Sequence, residues 1–228
     1  MSKLRAFVRL DFMTVKPYFT IKNLLIYVAL AVYMAIMSKN IGTSIGIGLM
    51  LATLNIGYPF ALGEKSGMDA LYATLGADRK TVVRGRYIFS FLLNICAIVF
   101  VTVFSLIALT IMSFFGGSEL ILRESLGATM AIASLFLIVQ SMQITMFFKF
   151  GYAKAKFFSI LPFFIISAFV AFFVMSSRGS GMPEAVNAIV RIFMSNALAI
   201  VAAIIALLAA VIFASYKLSL AFYKKREF

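Results

Sequence analysis

The residues of this chain that could do chemistry either lie at the margins of its apolar runs or carry no charge. Its acids are Asp11, Glu64, Asp69, Asp78, Glu119, Glu124, Glu184 and Glu227, and none falls in the middle of a membrane-length run. Histidine is absent, Cys96 stands alone, and no group of side chains has metal-ligand spacing, so neither catalytic residues nor a metal site are expected. An ionised carboxylate at mid-bilayer costs about 2.5–3.5 kcal/mol on insertion scales and is kept there chiefly for proton relay or ion coupling. Without one, a proton- or sodium-driven carrier lacks its coupling group. A selective channel lacks its ring of charge or filter loop, and an intramembrane aspartyl or metal hydrolase lacks its reacting groups. The stretch Gly76–Thr81 (GADRKT) fails as a phosphate-binding loop because Arg79 occupies the position before lysine that must be glycine. Any work done through this chain must draw its energy from outside the bilayer.

The polar groups inside the apolar runs are neutral: Asn55, Asn94, Gln140, Ser141, Gln143 and Thr145. They can serve as interhelical glue at about 0.6–2 kcal/mol per hydrogen bond, or as a substrate path. Asn55, Asn94, Gln140 and Gln143 are the path candidates, with Gln140 and Gln143 one helical turn apart. The one long polar stretch between two apolar runs is 64–86. Within it Met68, Leu71, Tyr72 and Leu75 recur at i, i+3, i+4 and i+7, one stripe on a helical face suited to docking on a soluble partner or to lying in lipid headgroups. Ser66 and Asp69 have capping-box spacing, Gly76 suits a helix stop, and Asp78 can cap a second helix running into Val82 and Val83.

The elements that must position these groups follow from composition. With 63% hydrophobic and 13% charged residues and a mean hydropathy of +1.05, the chain is far from a soluble domain and reads as an all-α polytopic membrane protein. Spans of about twenty residues fill the hydrocarbon, and six runs qualify: 23–38, 42–62, 87–114, 125–148, 157–175 and 193–216. They form a single transmembrane unit over 1–228, with no room expected for an appended soluble domain. The net charge of +13 does not indicate nucleic acid, because of where the cations fall. All but four of the 21 basic residues (Lys39, Arg123, Arg178 and Arg191) fall on the side of the N-terminus, which the positive-inside rule makes cytoplasmic, with both termini inside. Such a cluster also attracts anionic lipid.

Residues 3–16 set Leu4, Phe7, Val8, Phe12 and Val15 against a basic side, as an in-plane interfacial helix does, and Pro17 separates it from the first span. A cleaved signal peptide is not expected. The second span carries a Gly42/Gly46 pair and a Ser44/Gly48 pair, and the last repeats Ala202, Ala206, Ala210 and Ala214. Each is a close-packing seam, within one chain or between two. Pro162 is expected to kink the fifth span, and Pro183 to start a short helix in the outer loop 176–192.

The segment Tyr58–Tyr87 (YPFALGEKSGMDALYATLGADRKTVVRGRY) resembles the loop between the second and third spans of small ABC-2-type permeases. These are membrane subunits of bacterial ABC exporters, similar to exporters of antimicrobial or cytolytic peptides. Where the family usually has a proline after the loop helix, this chain has Gly76 and Ala77. The resemblance implies a cytosolic coupling helix, Met68–Leu75, seated on a separate ABC ATPase. The docking residues would be Glu64, Lys65, Met68, Asp69, Leu71, Tyr72, Leu75, Arg79, Lys80 and Arg84. It implies that ATP and Mg are bound by that partner and no cofactor by this chain. It also implies pairing with a second permease chain, the same or homologous, in the plasma membrane, and export of an amphipathic substrate, with a peptide favoured. The alternative is a non-transporting interaction or immunity protein whose loop binds a regulator; a neighbouring reading frame for a P-loop ATPase would separate the two.

Overall fold

The computed structural model describes residues 3–38, 41–68, 72, 78–114, 122–157, 164 and 197–225, and every regular element among them is helical. In chain order these are α1 (Lys3–Val15), a 3-10 turn (Lys16–Tyr18), α2 (Ile21–Ser38), α3 (Ile41–Ile56), α4 (Tyr58–Lys65), α5 (Arg79–Phe114), α6 (Leu122–Phe150) and α7 (Ala197–Lys224). Residues 152–157 add a short helical segment after α6. Among the described residues five helical stretches are long and apolar enough to cross a membrane: α2, α3 with α4, α5, α6 and α7. The fifth predicted run (157–175) lies outside the described residues apart from Phe157 and Phe164, as do Pro162 and the loop 176–192.

The first helix forms as its periodicity predicts. Phe7, Val8, Asp11 and Val15 face the bundle while Arg5, Arg9 and Met13 stay exposed. Pro17 has no N–H to extend the helix, so the chain tightens into the 3-10 turn. The Thr20 hydroxyl, accepting from Asn23 N–H at 3.4 Å, then caps α2.

Two predicted boundaries move. The second span is broken at Gly57 into α3 and α4, with Pro59 in the first turn of α4, where a missing N–H costs nothing. A Cβ on Gly57 would sit 2.9 Å from the Tyr152 ring, so only glycine admits this approach. The helix expected after the Asp78 cap and the run 87–114 are one continuous helix starting at Arg79. Its 36 residues extend about 54 Å, more than the hydrocarbon needs, so its basic first turns project beyond it.

The α3 helix is the bundle's axis, packed on α2, α5 and α6. Of the two readings of its small-residue seam, packing within the chain is the one observed. Ser44 Oγ donates to Ala31 O of α2 at 2.8 Å, and a Cβ on Gly48 would meet Val101 Cγ2 of α5 at 2.7 Å. A Cβ on Gly46 would be 3.4 Å from Ile132 of α6. The alanines Ala202, Ala206, Ala210 and Ala214 of α7 are not covered by the described residues.

Candidate functional site

The polar residues gather in two places. One is the middle of the bundle, where Gln140 of α6 bridges α5 and α3. Its Nε2 donates to Asn94 Oδ1 at 2.9 Å and to Thr53 Oγ1 at 2.8 Å, and its Oε1 accepts from Asn94 Nδ2 at 2.5 Å and from Ser90 Oγ at 3.4 Å. Gln143 Nε2 donates to Thr53 O at 3.4 Å, and Asn55 Nδ2 to Leu51 O at 2.7 Å. All four path candidates are buried, and Asn94 and Gln140 hydrogen-bond to each other between helices. Beside them a hydroxyl ladder fastens α7. Ser215 Oγ donates to Ser141 O at 2.6 Å and is 2.7 Å from Thr145 Oγ1, while Tyr87 OH is 2.6 Å from Ser215 Oγ and 3.0 Å from Ser219 Oγ.

The other place is the end of the bundle where α1, α4, the start of α5 and the ends of α6 and α7 meet. Asp11 and Arg86 form a buried ion pair there, Nη1 to Oδ1 at 2.7 Å, across 75 residues of sequence. Arg86 Nη2 also donates to Pro59 O at 3.2 Å, the carbonyl at the break in the second span, and its guanidinium lies 4.7 Å from the Phe60 ring and 5.4 Å from the Phe7 ring. Asp11 Oδ2 and Arg86 Nε have no hydrogen-bond partner among the described residues. Burial pushes the Asp11 carboxyl up from the ordinary 3.8 to about 6, with the neighbouring guanidinium pulling the other way. Around this pair close Phe7, Val82, Phe89, Phe148, Tyr223 and Tyr72.

Two further long-range contacts at this end satisfy helix ends. Glu64 Oε2 accepts from the N–H groups of Tyr152 and Ala153, at 2.6 and 3.1 Å, at the start of 152–157, where donors have no helical partner. Gly151, at φ 77°, ends α6 just before them in a left-handed conformation natural to glycine. Arg79 Nη1 donates to Tyr223 O at 3.3 Å and to Lys224 O, placing a cation on the carbonyl end of α7. Asp78 caps α5 as expected, its Oδ1 accepting from Lys80 N–H at 3.2 Å. Ser66 closes α4, donating from both N and Oγ to Leu62 O, and Gly67 at φ 63° turns the chain away; its proposed capping partner Asp69 lies outside the described residues.

Most of the docking candidates that fall among the described residues are therefore engaged within the chain. Tyr72 is buried, its ring 5.1 Å from Phe7 and edge-on to it, and Met68 packs on the same cluster. Glu64 and Arg79 hold helix ends, and Arg84 Nε donates to Tyr216 OH at 3.3 Å. Lys65 and Lys80 are exposed. Asp69, Leu71, Leu75 and the turn residue Gly76 lie outside the described residues.

This end brings together, on one side, the basic segments that charge distribution assigned to one face of the membrane. A family model described as ABC-2 family transporter protein matches residues 7–224, nearly the whole chain. The chain belongs to the ABC-2 transporter family. No curated protein and no solved structure matches it. ABC-2 permeases are multi-pass membrane subunits of ABC transporters, not themselves catalytic, that generally work with an ABC ATPase. In this ABC-2 chain, sequence reasoning missed the Asp11–Arg86 pair. Its signal was an acid four residues after Phe7 and four before Val15, on the apolar stripe of α1.

Proposed function

We propose that this chain is the transmembrane subunit of an ATP-driven exporter in the plasma membrane, with both termini cytoplasmic, and that the basic end is where a separate ATPase delivers its work. The observation that carries this reading is the construction of the segment between α4 and α5. It leaves α4 at Gly67, returns at Asp78, and is tied on the way to α1 through the Tyr72–Phe7 contact. The same end is tied to 152–157 by Glu64 and to α7 by Arg79. A push on that segment would reach four elements at once, and α5 carries it onward as one long helix.

Within this reading Met68 and Tyr72 anchor the coupling segment to the permease, and the exposed Lys65 and Lys80 that flank it contact the ATPase. ATP and Mg are bound on that partner. Two permease chains form the pathway, and the cargo is amphipathic, a peptide by family resemblance. Replacing Lys65 and Lys80 together with Glu is expected to abolish co-purification of a co-expressed ABC ATPase partner while membrane insertion persists. Undiminished co-purification would remove this docking face from the proposal. Stimulation of the partner's ATP hydrolysis by the wild-type chain in nanodiscs separates an exporter from a non-transporting binding protein.

A further inference from the structure

Alongside α1 runs a cleft of about 460 Å³ that the ion pair and the coupling segment do not use. Its walls are apolar: Val8 and Phe12 from α1, and Ile88 and Leu92 from α5. Its rim carries Arg5 and Arg9, one helical turn apart and both exposed. We infer that this cleft binds one anionic phospholipid, with the acyl chain along Val8, Phe12, Ile88 and Leu92 and the phosphate between Arg5 and Arg9.

Three observations converge on that ligand. The first is charge. The only ion pair among the described residues is Asp11–Arg86, so no acid among them neutralises Arg5 or Arg9, and the one acid of α1 is turned into the bundle. The second is depth. Ile88 and Leu92 stand about 14 and 20 Å along α5 from Arg79, where a span leaves the headgroup layer, and both remain partly exposed. The third is the pairing of surfaces. A free phosphate would use the arginines and leave the apolar wall bare, and a neutral lipid would use the wall and leave the arginines unpaired. A phosphatidylglycerol-like lipid uses both.

The chain has no tryptophan, so a single introduced one reports on this cleft alone. Leu92→Trp in nanodiscs would be titrated with brominated phosphatidylglycerol and, separately, brominated phosphatidylcholine. Ile111→Trp, exposed near the other end of α5, serves as reference. The expected result is roughly tenfold preferential quenching of Leu92→Trp by the anionic lipid, with no preference at Ile111→Trp. Adding Arg5→Gln with Arg9→Gln is expected to remove the preference. The charge-matched pair Lys154→Gln with Lys225→Gln, on exposed basic residues away from the cleft, is expected to keep it. Arg5→Lys with Arg9→Lys, which retains the charge, checks that loss is not misfolding and is expected to keep most of it. Equal quenching by the two lipids, a preference that survives in Arg5→Gln with Arg9→Gln, or displacement of the brominated anionic lipid by inorganic phosphate would each overturn the inference. Absence of quenching by either lipid, with native mass spectrometry showing a dimer, would assign the cleft to a second copy and overturn it as well.

Discussion

The two polar regions of this chain are built on opposite terms. The mid-bundle node is neutral: Gln140 and Asn94 exchange hydrogen bonds both ways and Thr53 takes the other amide hydrogen of Gln140, with only Gln143 Oε1 beside them lacking a partner among the described residues. The clamp at the basic end is charged and incompletely paired, with Asp11 Oδ2 and Arg86 Nε unsatisfied and a carboxyl raised to about 6. A reciprocally bonded neutral network has one good arrangement. An underpaired ion pair among aromatic rings has lost little to begin with, so another arrangement lies closer in energy. The contrast teaches that the node holds the spans in register and the clamp is the joint that can move.

The largest expected effect comes from breaking the clamp on one side only. Asp11→Leu leaves a buried guanidinium that cannot shed its proton, and the expected loss is about 3–5 kcal/mol, read from thermal unfolding in detergent. Arg86→Met keeps the aliphatic packing, and the orphaned carboxyl can protonate, so roughly half that loss is expected. If both variants melt alike, the asymmetry assigned to the pair is wrong.

The pH dependence follows from the same carboxyl. Its folded value of about 6 lies above the unfolded 3.8, so the folded state holds more protons between them and stability falls as pH rises through that window. The fall is of order 3 kcal/mol at most and is complete above about pH 7. Asp11→Asn should flatten the slope while still accepting a hydrogen bond from Arg86; a slope that persists in that variant would locate the titration elsewhere.

The node should respond differently. Gln140→Leu strands Asn94 and Thr53 and is expected to cost about 1–3 kcal/mol, part of it recovered by adding Asn94→Leu. Transport per folded molecule should not change, and a large loss there would return Gln140 to the substrate path. The smallest effects separate two glycines of one helix. Gly48→Ala, with Val101 Cγ2 at 2.7 Å from the new Cβ, should cost about 1–3 kcal/mol, whereas Gly46→Ala, at 3.4 Å from Ile132, should be close to neutral in the same melting assay.

What could be read from sequence was whatever repeats along a helix or counts along the chain. The amphipathic face of α1, the cap at Asp78 and the apolar lengths of five spans are of this kind. So is the common placement of basic segments, since Arg79, Glu64 and Tyr152 meet at one end. What escaped depends on distant partners. Asp11 and Arg86 lie 75 residues apart, Glu64 and Tyr152 lie 88 apart, and no period links them. Tyr72 shows the limit within one element. Helical spacing assigns it to a stripe without saying which body the stripe faces, and here that body is Phe7. Gly57 before Tyr58 and Pro59 was a legible break signal, overridden in the reading by the apolar length of the run.

The central claim, a movable clamp beside a fixed node, is tested most directly by two spin-label distances in a Cys96→Ala background with the ATPase bound, before and after trapping ATP. One pair, Met13→Cys with Lys154→Cys, spans the clamp from exposed positions, and the other, Leu54→Cys with Met142→Cys, flanks the node. The account predicts a shift of more than about 2 Å across the clamp and less than about 1 Å across the node. A still clamp, or a node that moves further than the clamp, would contradict it.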